Sequence, residues 1–399
     1  MAPGLVASVR VPLHYGELVF SARCRPGGST CAVETWFRWG LGDLTGPAEE
    51  PGLAPDAPVA ARVEGLVASL PAVDPAHVLA GRAGLQGWGR SGRISANGTC
   101  RLLRAADGWV AVNLSRPTDV ELVPAVLEAE IEGDPWEALT SAAAARPAAE
   151  LAARAQLLGI PAAVPASSVG LPPLTIRTLR EPADAAAGWR VVLDLSAMWA
   201  GPLCAHLLGR AGAHVVKVED VRRPDGARFG PAAFYDELHA GHASVVLDFA
   251  TTSGRDALAA LAEEADVVVE SSRPRALARL GLLAEEWVAA RPGRTWVSIT
   301  GYGRGDPEQR VAFGDDAAVA GGLLATDGHG GPVFCGDAIA DPLTGLYAAS
   351  AALDSARGGG GHLLDVAMAG VAAWAARPGD GPRYAHVRDE SGVLRHADP

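Results

Sequence analysis

The chain is short of several things, and each shortage removes a class of function. Only five cysteines occur among 399 residues. Cys24, Cys31, Cys100, Cys204 and Cys335 are odd in number and widely scattered, which fits neither a disulfide framework nor a zinc pattern. The ten histidines show no H-x-x-x-H spacing, and no metal site is expected. Positive charge is scarce. With 34 Lys and Arg against 46 Asp and Glu, the formal net charge of −12 argues against a nucleic-acid or anionic-membrane surface. A polyanionic ligand therefore needs a local basic patch. No apolar stretch reaches the roughly 18 residues of a membrane span without interruption by charge, Pro or Gly. The opening "MAPGLVASVR" lacks a charged region followed by an apolar run, so no signal peptide is expected and the cytoplasm is the default location. Phosphate loops are missing too. Without G-x-G-x-x-G after the first regular strand, and without G-x-x-x-x-G-K-[ST], a dinucleotide or P-loop site is disfavoured.

What is present reads as a soluble globular protein, 49% hydrophobic and 20% charged, with enough length for two or three domains. From Trp189 the pattern is regular. "RVVLDLS" (190–196), "AHVVKVE" (213–219), "SVVLDF" (244–249), "DVVVESS" (266–272) and "TWVSITGYG" (295–303) are short apolar runs separated by stretches of helical spacing. Helices are expected over about 254–264 and 284–291. Such alternation means an α/β fold, a doubly wound parallel sheet covered on both faces, with ligands beyond the carboxyl ends of the strands. The loops after Asp194, Glu219, Glu270 and Thr300 are the ones to watch. "GGGG" at 358–361 reads as a flexible connection between a helix and the strand-like "HLLDVAM".

Upstream, residues 169–188 are Pro-rich and read as an interdomain linker, so the regular domain runs 189–378 with a tail at 379–399. Residues 91–168 read as a smaller α+β domain, with two strands joined at Asp107-Gly108 and helices after them. Residues 1–90 are poorly patterned. Shifting the chain by 281 residues places Gly40, Thr45, Pro51, Asp56 and Ala57 on Gly321, Thr326, Pro332, Asp337 and Ala338. The first segment thus looks like a remnant copy, with Ala60 standing where the second copy has Asp341.

Asp341 itself admits two readings. In "GDAIADPLTGLYAAS" an Asp followed by Pro342 and an apolar run is a standard helix opening, the carboxylate acting as N-cap and Pro sitting at the first helical position. The same carboxylate, next to free N–H groups and the positive end of a helix, also suits a nucleophile.

Taken together, "VVLDLSAMWAGPLCAHLLGRAGAHVVKVED", "DVVVESSRPRALARLGL", "SITGYGRGDP" and "GDAIADPLTGLYAASAAL" resemble the family III CoA-transferases, whose relatives include α-methylacyl-CoA racemases. The resemblance spans about 190–376; "LLRAADGWVAVNL" resembles the family's smaller domain, which normally follows this half and here precedes it, as in a circular shift. It implies a Rossmann-like fold and transfer of CoA from an acyl-CoA to a carboxylic acid, with no prosthetic group. It also implies a homodimer of interlocked chains, and no nucleic-acid or membrane partner.

In the family motif D-x-x-[ST]-G, Asp341 is the nucleophile and Gly345 closes the motif. Met198, Trp199 and Ala200 fall in the loop that holds CoA, although Trp199 also suits a packed core aromatic. Arg222, Arg223 and Arg279 are candidate phosphate partners, or simply surface arginines; Ser271 and Ser272 stand where the family has Asn and an apolar residue. His239, His242 and Ala243 replace an Asn and a Lys-Arg pair, removing a cationic contact. Asp315 and Asp316 either position the acyl group or cap a helix. The racemases carry a His before that second acid, and its absence here favours transfer over two-base racemisation. A racemase or epimerase, and a non-catalytic CoA-binding partner subunit, are the alternative readings.

Overall fold

The computed structural model describes residues 6–13, 16–23, 32–183, 191–378, 387–388 and 394–395. An N-terminal hairpin, β1 (Val6–Leu13) and β2 (Gly16–Arg23), precedes three helices: α1 (Ala32–Arg38), α2 (Val59–Val67) and α3 (Pro75–Gln86). α3 starts where Asp74 accepts the N–H of Ala76 and Pro75 occupies the first turn, and it ends at Gly87 in the left-handed region (φ 64°). In this poorly patterned segment Trp36, Leu41, Val63, Leu66 and Leu79 are buried in the same core as the regular domain. Its apolar positions are dictated by neighbours distant in sequence, so no local period reports them.

The smaller unit pairs β3 (Cys100–Arg104) with β4 (Trp109–Asn113) about the Asp107-Gly108 turn, and β4 with β5 (Ala162–Ala163). Helices α4 (Pro117–Glu121), α5 (Val123–Leu127), α6 (Pro135–Ala145) and α7 (Ala148–Leu157) follow β4. Val110, Val112, Leu139, Leu151 and Ile160 close a core of their own.

One further strand precedes the regular domain: β6 (Leu174–Thr178). Then come β7 (Val191–Asp194), α8 (Ala200–Arg210), β8 (His214–Asp220), α9 (Ala232–Leu238), β9 (Ala243–Leu247), α10 (Thr252–Glu264) and β10 (Val267–Glu270). They are followed by α11 (Pro274–Ala278), α12 (Ala284–Ala290), β11 (Thr295–Thr300), α13 (Gly314–Gly321) and the short pair β12 (Ala325–Thr326) and β13 (Pro332–Val333). α14 (Ala340–Arg357), β14 (His362–Ala367) and α15 (Met368–Ala376) come next, and β15 (Val387–Arg388) and β16 (Leu394–Arg395) complete the order. The main sheet runs β16-β15-β6-β14-β11-β10-β7-β8-β9. From β14 to β9 every pairing is parallel, as continuous Val, Ile and Leu runs buried on both faces require.

The expected linker is corrected in part. Leu174–Thr178 inside it is a strand, antiparallel to β14, and β15 from the expected tail pairs with it. The β-branched Thr175, Ile176 and Thr178 favour extended backbone, and Pro172 and Pro173 lie just outside the ladder. The glycine run is a tight connection rather than a loose one. Gly359, Gly360 and Gly361 take φ of 88°, 71° and 83°, and any Cβ there would strike carbonyls of Ala183, Gly293 and Arg180. Among the described residues no helix is long and apolar enough to cross a membrane.

Helix α14 is the hub of the core. It packs on α8, α15 and α2, and Ser69, just past α2, shares a hydrogen bond of 3.2 Å with Ser350. Those two serines lie 281 residues apart, the same offset that aligned the two similar segments in the sequence.

Candidate active site

Asp341 is the second residue of α14, inside its first turn, rather than its cap; the N-cap position belongs to Ile339. The helix begins early because the turn before it is pinned. Ala338 sits at φ 42°, its N–H donates to Asp315 Oδ1 at 3.0 Å, and the N–H of Asp341 donates to the Ala338 carbonyl at 2.8 Å. That frees the Asp341 carboxylate for other partners. The backbone N–H groups of Gly314, at the start of α13, and Ala200, at the start of α8, lie close enough to favour its ionised form. Two helix beginnings thus converge on one carboxylate, and both supply unpaired donors and positive dipole ends. Gly314 is a glycine of necessity: a Cβ would meet the Ala338 carbonyl and come within 2.5 Å of Asp341 Oδ2.

The carboxylate has company. Arg82 of α3 donates twice to Asp337, Nε to Oδ2 at 2.7 Å and Nη2 to Oδ1 at 2.5 Å, and Asp337 is fully buried. The Arg82 guanidinium lies 4.4 Å from the Trp199 ring centre, and Trp199 meets Phe234 edge-on at 5.2 Å. Burial pushes the Asp341 carboxyl up to about 6; the Arg82 charge opposes this and Asp337 adds to it. Part of Asp341 nevertheless stays open to solvent.

Two further acids stand on α13. Asp315 accepts from Asn97 at 3.1 Å as well as from Ala338, and burial with the nearby Asp337 charge raises it to about 7. Asp316 accepts from Asn113 of β4 at 3.0 Å and from the Phe313 N–H at 3.1 Å, and burial raises it to about 8. Asp316 caps α13, and Asp315 stands beside Asp341.

The loop after β7 is held rigidly. Lys217, only 1% exposed, donates to the Ser196 carbonyl and to Asp225 Oδ2 at 3.0 Å, and lies 3.5 Å from Asp194. Asp225 Oδ1 takes the N–H of Met198 at 2.9 Å, and Ser271 Oγ takes that of Ala197 at 3.1 Å. Met198 is thereby kept at φ 74°, a conformation disfavoured for a side-chain-bearing residue. Trp199 is a packed aromatic, 3% exposed, and Ala200 is buried at the front of α8.

The structure brings Asp341, Asp315, Trp199 and Ala200 into one constellation, with Asp316 beside it on α13. It leaves the proposed phosphate partners at the surface. Arg222 is exposed and pairs with Asp248 at 3.2 Å, and Arg223 and Arg279 are exposed. Ser272 donates to Glu270 at 3.0 Å. His239 is stacked on Tyr235 at 4.1 Å, and burial lowers both it and His242, the latter to about 4. Gly345 lies at a helix crossing, where a Cβ would come within 2.7 Å of Leu203 Cδ2 and 2.9 Å of the Ala200 carbonyl. Sequence reasoning missed Arg82, Asn97, Asn113, Lys217 and Asp225. Asp337 was visible only as one match in the 281-residue alignment. Arg82 left no signal at all.

Beside Arg82 and Trp199 lies a cavity of about 140 Å³ between α3, α8 and α9. Val78, Leu203, Leu207 and Phe234 form its apolar wall.

Residues 187–380 match CoA-transferase family III. An acyl-CoA transferase from Fusarium pseudograminearum is 32% identical over 199 residues, covering 44% of this chain and 44% of its own. A succinate–glutarate CoA-transferase from Agrobacterium fabrum is 33% identical over 201 residues, covering 45% of this chain and 50% of its own. The chain thus spans about half the length of the curated relatives it matches. Among solved structures, a CAIB/BAIF family protein from Brucella suis is 30% identical with a TM-score of 0.43, covering 49% of this chain and 55% of its own.

Proposed function

We propose, from the match of residues 187–380 to CoA-transferase family III, that the chain moves CoA from an acyl-CoA thioester to a carboxylic acid, with Asp341 as the nucleophile. The observation that carries the reading is the convergence of two helix starts on a partly open carboxylate, with Arg82 alongside. An Asp341 oxygen attacks the thioester carbon, the C–S bond breaks, and CoA leaves as thiolate with a mixed anhydride left behind. The thiolate then attacks the Asp341 carbonyl carbon, releasing the donor acid as carboxylate and forming an aspartyl-CoA thioester. The acceptor carboxylate attacks that thioester to give a second anhydride. Return of the thiolate to the acceptor's carbonyl yields the new acyl-CoA and restores Asp341. Each tetrahedral intermediate places negative charge on an oxygen, and preset N–H donors of the kind at Gly314 and Ala200 stabilise such charge. Splitting one difficult exchange into four substitutions is the usual benefit of a covalent intermediate.

Incubation with an acyl-CoA followed by hydroxylamine tests this reading. A hydroxamate at Asp341, mapped by peptide mass, is expected; no adduct with a broad acyl-CoA panel refutes it.

A second reading is proton exchange at the carbon next to the thioester: burial and the nearby Asp337 charge raise Asp315 to about 7, in the range a proton-transferring group needs, while the His that the racemases carry is absent. Solvent deuterium entering an acyl-CoA during incubation in D₂O supports that reading, and its absence removes it.

A further inference from the structure

We propose that Arg82, supplied by the N-terminal helices outside the family-matched region, is a positioning residue of the Asp341 site, and that its ion pair with Asp337 sets the charge state of the nucleophile. This inference rests on the reading of Asp341 as nucleophile.

The geometry points there from three sides. The Arg82 side chain is only 14% exposed and its bidentate partner Asp337 is fully enclosed, so neither charge is screened by solvent as a surface pair is. The guanidinium is also clamped on its face: Trp199 lies 4.4 Å away, with Trp88 at 5.5 Å and Phe234 at 5.8 Å. Trp199 directly precedes Ala200, whose backbone N–H at the start of α8 favours the ionised form of Asp341. Moving Arg82 therefore disturbs both a charge beside the nucleophile and the wall carrying one of its donors.

The charges that bear on Asp341 come from three elements. Arg82 on α3 favours the ionised carboxylate; Asp337, in the turn before α14, and Asp315, on α13, are further acids in the cluster. The N–H groups of Gly314 and Ala200 side with Arg82. Asp315, raised to about 7 by burial, is protonated where Asp341 ionises, so one acid, Asp337, stands against one cation and the balance depends on Arg82. Its removal leaves Asp337 without its partner, so the nucleophile faces more negative charge and less positive. An opposite charge at this range is worth about one to three pH units to a carboxylate.

The test uses the full chain and follows the CoA adduct by intact-protein mass from pH 5 to pH 9, in the wild type and in R82K, R82Q, R82Q/D337N and D341N. The pH midpoint of adduct formation in R82Q is expected to rise by about one unit or more. R82K, which keeps the charge, should stay near the wild type in midpoint while losing rate, because an ammonium cannot reproduce the fork. R82Q/D337N removes both charges, leaves no uncompensated buried ion, and should bring the midpoint back down. If R82Q fails to fold, the comparison of the double variant with R82K decides: equal midpoints support the proposal, and a double-variant midpoint shifted as far as a full lost charge overturns it. Equal midpoints in R82Q and wild type, with less adduct, mean a merely structural role and also overturn it. Adduct in D341N, or none in the wild type, brings down the nucleophile reading and this inference with it. A wild-type adduct at Asp341 with an unmoved R82Q midpoint brings down the inference alone.

Discussion

Asp315 Oδ1 accepts the backbone N–H of Ala338 at 3.0 Å, so an acid on α13 sets where α14 begins. This contact turns Asp341 from the cap of a helix into a member of its first turn. Asp341 makes no cap bond there, and the starts of two other helices, at Gly314 and Ala200, favour its ionised form instead. The site is therefore a product of three chain segments meeting, none of which is complete without the others.

D341N should abolish adduct formation and lower turnover by about three orders of magnitude or more, as expected when a covalent nucleophile is removed. The same substitution removes a charge that burial and Asp337 disfavour. Thermal unfolding at pH 8 should therefore show a Tm equal to or above that of the wild type. A large fall in both activity and Tm would mean that Asp341 is structural.

Stability should decline as pH rises from about 4 to about 8. Asp315 and Asp316 are held up to about 7 and about 8 by burial, so the native chain keeps protons that the unfolded chain has already released. Each such group tilts the unfolding free energy by about 1.4 kcal/mol per pH unit between its unfolded and folded pKa. Glu219 acts in the opposite sense at the acid end. Its bond to Arg228 lowers it to about 2, so its contribution is full above its ordinary pKa and is lost as pH falls from there toward about 2. Urea titrations of the wild type and D316N at pH 5 and pH 8 check this; D316N should flatten the decline.

Leu79 is fully buried on α3. L79A should cost about 2–5 kcal/mol, the range for a core leucine that leaves a cavity. Phe229, 81% exposed, should tolerate replacement by Ser within about 0.5 kcal/mol. Denaturant midpoints of the two variants compare them directly. Equal effects would mean that the N-terminal helices are not part of the core.

Gly314 and Gly345 separate chemistry from packing. G314A drives a methyl into the Ala338 carbonyl and to 2.5 Å from Asp341 Oδ2, so it should lose both adduct formation and stability. G345A pushes α14 away from Leu203 and Ala200 on α8, so its main effect should be a lower Tm. Paired measurements of adduct yield and Tm distinguish them, and identical profiles would contradict the assignment.

The sequence announced the parallel sheet plainly, because "VVLDL", "VVKVE" and "VVVES" are apolar runs with no alternation, and only a strand buried on both faces reads that way. Asp341 was legible as a special acid from its motif. The rest was hidden for definable reasons. Arg82 sits mid-helix in "HVLAGRAGLQ", where an arginine is unremarkable, and its partner lies 255 residues away. Leu174–Thr178 was obscured by the prolines before it, which punctuate a strand as readily as a linker. Asp315 and Asp316 were visible as a pair, but their near-neutral titration is a property of burial, which no residue string encodes.

The burial of α2 and α3 in the same core as α8 and α14 has a practical consequence for anyone dissecting the gene. A recombinant fragment trimmed to residues 187–380 would keep Asp341 and the motifs around it and shed Trp36, Val63, Leu66 and Leu79 together with the guanidinium on Asp337. Such a piece would expose the apolar flank of its central helix to water, and it should come out of the cell as insoluble aggregate rather than as a miniature enzyme.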